Sequence, residues 1–162
     1  MNLFILDIQP AKAAEYNNDP HVRKIILESI EMMGCCYDKG EFKPWPWISK
    51  SKFMNHPMSK WVRSSKETFD WTLQHGYALC EEFEYRFGKQ HKCKEYLDWI
   101  SANLPLKNLS DTGWHDWPRC FGAYRESVGV SEDAVYDYRR YYMIAKRHLA
   151  TWTKRTQPDW YR

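Results

Sequence analysis

Prolines that directly follow polar residues divide this chain into helical segments, and they constrain the fold more than any other feature. A proline fits the first turn of an α-helix, where its missing N–H costs nothing, and a polar residue before it can cap the helix. Pro20, after Asp19, and Pro57, after His56, have this form, and each precedes apolar residues at helical spacing. With Asp19 as the cap, we expect one helix to run to about Cys36 and another to begin after His56.

The remaining chain also predicts helices rather than strands. Residues 58–87 carry apolar side chains at helical spacing, with a break expected near Ser64 or Gly76 and a stop at Gly88. Further helices are predicted from Pro10, over residues 91–103, and from a cap at Ser131 to about residue 155. Only LFILDI at residues 3–8 suits an extended start. The prediction is an all-α fold: residues 1–162 form one compact helical bundle with long aromatic and basic loops and a short extended N-terminus.

The composition excludes several classes of protein. With 43% hydrophobic and 28% charged residues over 162 positions, the chain is typical of one globular domain and not of a disordered one. No apolar run approaches the length of a membrane span, and NLFIL lacks the basic flank of a signal peptide. The five cysteines form no CxxC pair and are odd in number, which argues against a disulfide scaffold or a zinc ribbon. We therefore expect reduced thiols and a cytoplasmic protein.

Aromatic and basic residues are concentrated in the loops, which are where we expect ligand contact. The nine Trp, eleven Tyr and seven Phe either fill a core that has few Val and Leu or stack on bases, sugars or peptides. Trp45 and Trp47 are separated by Pro46, so this segment cannot lie inside a helix and forms either a lid or an exposed clamp. A net charge of +3 permits a nucleic acid as partner without requiring one.

His21 and Glu28 form the sharpest candidate site. They are seven positions apart, almost two helical turns, so their side chains lie one above the other with Ile25 between them. Such a pair belongs either to a polar surface stripe or to a site. Apolar residues occupy most of the circumference of this helix, which favours a site. A carboxylate beside apolar surface needs a base, and Arg23 and Lys24 are the local bases.

Two further stretches favour anions. His56 at a helix N-terminus, followed by Lys60 and Arg63, combines free N–H groups, the helix dipole and two cations. This pattern is as typical of a capped surface helix as of a phosphate site. Over residues 136–152, basic residues such as Arg139 interleave with tyrosines, which suits stacked bases and a phosphate backbone, or else a solvated basic face. No GxxxxGK[ST], GxGxxG, GxSxG or HExxH motif occurs, and no spacing indicates a metal site.

Four stretches, in the same order along the chain, resemble the phage pyrimidine-dimer DNA glycosylase family and its bacterial relatives. DPH at residues 19–21, with Glu28 beyond it, resembles the family's D-x-H and catalytic glutamate. NHPMSKWVR at residues 55–63 resembles the family's NHPxxxRF segment. FDWTLQHGYALCEEFEYRFG at residues 69–88 resembles the helix that follows, and QPDWYR at residues 157–162 resembles the C-terminal P-x-W-Y.

The resemblance implies an all-α enzyme that kinks duplex DNA and extrudes a nucleotide, with no metal or cofactor. In that family an N-terminal α-amine attacks the sugar C1′ and forms an imine, and a glutamate assists ring opening and strand elimination. That role falls to Glu28. In the family, the amine is the α-amine of a small residue that becomes N-terminal when the initiator Met is removed. Asn2 is bulky, so the amine here would be that of Met1.

We therefore predict a DNA glycosylase-like enzyme that acts on a damaged or modified base. The predicted catalytic residues are Glu28, His21 and Met1. The predicted contacts to DNA are Arg23, Lys24, His56, Lys60, Arg63 and Arg139, with Trp160 and Tyr161 near the extruded base. One alternative is an enzyme that modifies or hydrolyses a base or a nucleotide on the same fold. The other is a non-catalytic protein that binds DNA or blocks a host factor.

Overall fold

Seven α-helices form the regular structure of residues 2–44 and 53–162, which are the residues that the computed structural model describes. In chain order they are α1 (Pro10–Tyr16), α2 (Asp19–Gly34), α3 (Pro57–Val62), α4 (Lys66–Phe87), α5 (Lys94–Ala102), α6 (Arg125–Val128) and α7 (Ala134–Ala145). These ranges contain no strand, so the predicted all-α fold class is confirmed. Met1 and the Trp45-Pro46-Trp47 segment lie outside the described residues.

The central helix is α4, against which both α1 and α2 pack. It begins with a capping box, in which the Ser65 hydroxyl accepts the Thr68 N–H and the Thr68 hydroxyl accepts the Ser65 N–H. It ends at Gly88, whose φ of 68° lies in the left-handed region that glycine adopts without a Cβ clash. The predicted break before this helix and the predicted stop after it are confirmed. Gly76 continues the helix and lets Leu97 of α5 approach its backbone closely.

The N-terminal segment is buried without belonging to a sheet. Phe4 adopts φ 48°, which is uncommon for a residue with a side chain, and its N–H donates to Asn2 Oδ1 at 3.2 Å. The Phe4 ring stacks on the His21 ring of α2, with 4.2 Å between centroids, and also lies parallel to the Tyr141 ring of α7. Packing against these two helices therefore determines the conformation of the segment.

A buried guanidinium joins α4 to the start of α2 and to the C-terminal residues. The Arg86 side chain is 0% exposed, and it donates to Glu82 Oε1 at 2.6 Å and to Asp19 Oδ1 at 3.0 Å. Asp19 also accepts the backbone N–H and the hydroxyl of Thr153. Glu82 accepts a second guanidinium, that of Arg155. This network holds the first turn of α2 in place.

Two predicted caps are wrong, and a tertiary contact explains the first. The cap of α2 is Asn18, whose Oδ1 accepts the His21 N–H at 3.0 Å. Asp19 is instead the first helical residue, and its carboxylate is bound to the buried Arg86. The cap of α7 is Asp133 and not Ser131.

The last helix is also shorter than predicted, because α7 ends at Ala145 and not near residue 155. Beyond a single 3₁₀ turn, the chain bonds to distant segments. Trp152 Nε1 donates to the carbonyl of Tyr16, and the Thr153 N–H donates to Asp19. These tertiary hydrogen bonds replace those of a continued helix. Within the described ranges, no helix combines the length and the hydrophobicity that crossing a membrane requires.

Candidate functional site

A cleft of about 590 Å³ opens where the N-terminal segment meets α2, the start of α3, the loop before α6 and the end of α7. The helix face predicted from the sequence forms part of its wall, because His21, Lys24 and Glu28 all line it. His56 lines it from the cap position of α3. The structure therefore brings four of the predicted residues to one cavity.

Glu28 is buried at the wall of this cleft, with a partner on each carboxylate oxygen. Its Oε2 accepts the backbone N–H of Asn2 at 2.9 Å, and its Oε1 lies 3.2 Å from Lys24 Nζ. Glu28 is 8% exposed, whereas the side chain of Lys24 is 71% exposed. A buried carboxylate needs such compensation to stay charged. The carboxylate is therefore held beside the first residues of the chain.

His21 is a neutral imidazole. Its Nδ1 lies 2.7 Å from the hydroxyl of Tyr142, and its ring is buried between α2 and Phe4. Burial, assisted by the charges of Lys146 and Lys24, lowers the pKa of His21 to about 3. The ring therefore carries no charge at neutral pH, so it does not serve as the cation in a phosphate site.

His56 also faces the cleft without acting as a cation. Its Nδ1 accepts the N–H of Met58 at 3.2 Å, as a helix cap. Burial lowers the pKa of His56, although the nearby Glu28 carboxylate opposes this shift. The two cations predicted beside His56 do not reach the cleft: Lys60 is exposed on α3, and Arg63 donates to the carbonyl of Met54 at 2.6 Å.

Arg125 and Lys146 are cleft cations for which the described residues provide no ion pair. The Arg125 guanidinium donates to the carbonyl of Arg119 at 3.3 Å. Lys146 Nζ lies 5.7 Å from the centroid of the Phe4 ring and 5.4 Å from that of Tyr141. Arg119 differs from both, because Asp116 and Asp137 neutralise it. Arg125 and Lys146 are therefore available to an anionic ligand.

Three aromatic rings line the cleft beside these cations. The ring centroid of Tyr141 lies 5.0 Å from that of Phe121 and 5.9 Å from that of Phe4. All three rings are buried against one another, so they form an apolar wall of the cleft.

Several residues predicted to contact DNA lie away from the cleft. The Arg23 guanidinium lies over the Phe87 ring, 4.2 Å from its centroid. Arg139 donates to the carbonyl of Leu6 at 2.9 Å and pairs with Asp7. Both guanidinium groups therefore make intramolecular contacts at other places.

Trp160 and Tyr161, which were predicted to lie near the extruded base, are also away from the cleft. Tyr161 is buried against Trp152, with 5.0 Å between ring centroids, and Trp160 packs edge-on against Tyr16 at 5.7 Å. Neither ring lines the cleft, although both contact the Tyr142 ring that lies behind His21.

The sequence reasoning missed the cleft residues that come from distant segments. Asn2, Phe4, Phe121, Arg125 and Lys146 were not among the predicted site residues. The only signal for two of them was the irregular, basic and aromatic character of residues 104–130, which predicts ligand contact without saying where the loop folds.

The cleft offers neither a reactive thiolate nor a metal site. Cys120 lines it, and burial raises the pKa of this thiol, which favours the protonated form. Cys35 and Cys36 are buried, and none of the five cysteines, all of which the structure describes, forms a disulfide. Within residues 2–44 and 53–162, no three His, Cys, Asp or Glu side chains are grouped as a metal site would require.

Together these residues can hold an apolar ring against an aromatic wall, bind an anion and transfer a proton through Glu28. Known proteins offer no independent guide to which ligand the cleft takes, because comparisons with protein-family models, curated proteins and solved structures find no match.

Proposed function

We propose that this protein is a DNA glycosylase-like enzyme that receives a damaged or modified base, extruded from DNA, in the cleft. The observation that carries the proposal is the setting of Glu28, a buried carboxylate with a backbone N–H on one oxygen and an ammonium group near the other. A shielded carboxylate can shuttle a proton where charge develops in a reaction.

The rest of the cleft suits one nucleotide. Its volume of about 590 Å³ lies within the roughly 300–1,000 Å³ of small-ligand sites. Phe4, Phe121 and Tyr141 give the cleft an apolar aromatic wall for a base, and Arg125 and Lys146 offer positive charge for a phosphate. Extrusion delivers a single nucleotide to such a pocket, at an unstacking cost of a few kcal/mol.

The position of Asn2 supports imine chemistry in particular. Its nitrogen is 2.9 Å from Glu28 Oε2, so the first residues of the chain lie against the proton-carrying group. An amine that attacks the sugar C1′ forms a C–N bond as the bond to the base breaks, and the departing base takes up a proton from solvent. The new ammonium group gives a proton to Glu28, and Glu28 returns it to the ring oxygen as the C1′–O4′ bond breaks and the imine forms. The amine in this proposal is that of Met1, which directly precedes Asn2 in the chain.

Glu28→Gln tests the proposal directly. The amide keeps the shape of the side chain and accepts the Asn2 N–H, but it cannot carry the proton. We expect turnover on a duplex that contains a pyrimidine dimer, or on a panel of modified bases, to fall by roughly 10²–10⁴-fold. DNA affinity should be retained, because the change also releases Lys24 from its ion pair. The matched control is Glu31→Gln, on the same helix but outside the cleft lining.

Borohydride trapping distinguishes the chemical alternatives. A covalent protein–DNA adduct after reduction requires an imine, and mass spectrometry locates it on residue 1 or residue 2. Base release without an adduct would instead assign Glu28 to activating water. DNA binding without turnover on any substrate, and with no response to Glu28→Gln, would support the non-catalytic binder and remove the enzyme.

A further inference from the structure

The hydroxyl of Tyr142 lies against the His21 ring, on the side away from the cleft, and contacts three buried polar groups. The hydroxyl lies 2.9 Å from the backbone nitrogen of Asn18, 3.3 Å from Asn17 Oδ1 and 2.7 Å from His21 Nδ1. Tyr142, Asn17 and Asn18 are 0% exposed. Since no bulk water reaches these groups, their hydrogen bonds must be satisfied among themselves.

The position of each proton follows from what each group can donate. The Asn18 N–H can only donate to the hydroxyl. The Asn17 amide nitrogen donates to the carbonyl of Ala13 at 2.9 Å, so the amide oxygen faces Tyr142 and can only accept. The reversed amide would place two oxygens together. Burial raises the pKa of Tyr142 well above its usual value, so the phenol keeps its single proton.

That single proton determines the tautomer of His21. If Tyr142 donates to Asn17, then His21 Nδ1 must donate to Tyr142, and each group in contact with the hydroxyl has a partner. If Tyr142 donates to His21 instead, the oxygen of Asn17 has no donor, which costs roughly 1–3 kcal/mol for a buried group. The first arrangement is therefore favoured. It leaves Nε2 of the neutral ring without a proton.

We propose that His21 presents an unprotonated Nε2 to the cleft, and that the ligand group seated against it is an uncharged N–H or O–H donor, such as the edge of a base. The ligand's identity as a nucleotide rests on the proposed function. Within the described part of the chain, His21 Nε2 has no hydrogen-bond partner, and the side chain lines the cleft. A lone pair repels phosphate oxygens, so the phosphate of the same ligand lies at Arg125 and Lys146.

His56 presents the opposite tautomer to the same cleft. Its Nδ1 accepts the Met58 N–H, so in the neutral ring the proton is on Nε2. One imidazole of the cleft is thus an acceptor and the other a donor. Such a pair suits the mixed donor and acceptor edge of a nucleobase better than it suits an anion. Tyr142 acts here as a positioning residue, because it selects the tautomer of His21 without touching the ligand.

Nitrogen-15 NMR of the full chain, labelled at histidine, measures these tautomers. Two-bond proton–nitrogen correlations should show His21 protonated at Nδ1 alone, and His56, the internal control, at Nε2 alone. The signals are assigned with His21→Gln and His56→Gln. In Tyr142→Phe, His21 should populate both tautomers. A proton on Nε2 of His21 in the parent protein would overturn the inference, whatever the outcome for Tyr142→Phe.

The inferred hydrogen bond from the ligand to His21 Nε2 is tested by titration with thymidine 5′-monophosphate and, separately, with inorganic phosphate. The nucleotide should shift the His21 Nε2 resonance toward the hydrogen-bonded value, whereas phosphate should leave it in place. An equal shift with phosphate alone would overturn the inference that the ligand group is an uncharged donor. The predicted tautomer with no response to the nucleotide would overturn the inference about the ligand group, while leaving intact the proton assignment and the proposed function, which turnover of Glu28→Gln tests separately.

Discussion

At the scale of single residues, surroundings decide what each histidine can do. His21 and His56 differ in tautomer because one faces a hydroxyl and the other a backbone N–H. His75 in α4 represents a third case, since it is 0% exposed and neither ring nitrogen has a partner among the described residues. Its ring stacks on Trp71 at 4.9 Å, and burial lowers the pKa of His75 to about 3.

His75 therefore makes the protein sensitive to acid. The unfolded chain protonates this histidine below about pH 6.5, whereas the folded chain does not until about pH 3. The free energy of unfolding should thus fall by about 1.4 kcal/mol per pH unit as the pH drops through this window. We expect His75→Phe, which keeps the ring over Trp71, to remove that part of the slope in urea unfolding between pH 7 and 4. An unchanged slope would contradict the assignment.

The site was predictable only where it is local. His21 and Glu28 share a face because helix geometry alone brings residues seven positions apart together. Asn2 and Lys146 reach the same cleft from the two ends of the chain, through packing that no local pattern encodes. The catalytic roles of His21, Glu28 and Met1 stay predictions.

At the scale of helices, starts were predictable where a proline and a capping side chain lie together in sequence, as at Pro57. Ends depend on tertiary partners. The last helix stops at Ala145 because the chain beyond it bonds to Tyr16 and Asp19, which local propensity cannot anticipate. A tertiary partner also acts at the start of α2, because the buried Arg86 of α4 binds the carboxylate of Asp19 there.

Loss of Arg86 should therefore destabilise several elements together. Arg86→Met removes the cation but keeps most of the buried volume, which leaves Asp19 without a cation and Glu82 with Arg155 alone. We expect the free energy of unfolding to fall by roughly 3–5 kcal/mol in urea titration. The control is Arg155→Met, because this partner of Glu82 is 33% exposed and its loss should cost only about 1 kcal/mol. Equal losses in the two variants would show that burial of the cation is not the cause.

At the scale of the whole molecule, several cations form no ion pair among the described residues, and Arg125 and Lys146 differ from exposed ones such as Lys89 because they line a cleft. The net charge of +3 is small, and many of the basic side chains are neutralised within the fold. Carboxylates pair with Arg86, Arg119, Arg139 and Arg155. Arg125 and Lys146 line the cleft and form no ion pair within residues 2–44 and 53–162. The electrostatic attraction for a nucleic acid should therefore depend on a few cations at the cleft.

The salt dependence of DNA binding tests this distribution. Each cation that neutralises a phosphate releases counterions, so the slope of log K against log salt should decrease in magnitude by about 1 in Arg125→Ala and again in Lys146→Ala. Affinity should fall about tenfold for each, as expected when a charge-assisted contact of roughly 1.4 kcal/mol is lost. Lys89→Ala, an exposed cation after α4 and outside the cleft lining, should change neither quantity. If Lys89→Ala lowers the slope as much as the two cleft variants do, the electrostatic attraction for DNA is spread over the surface. The proposal that the cleft binds the phosphate would then be wrong.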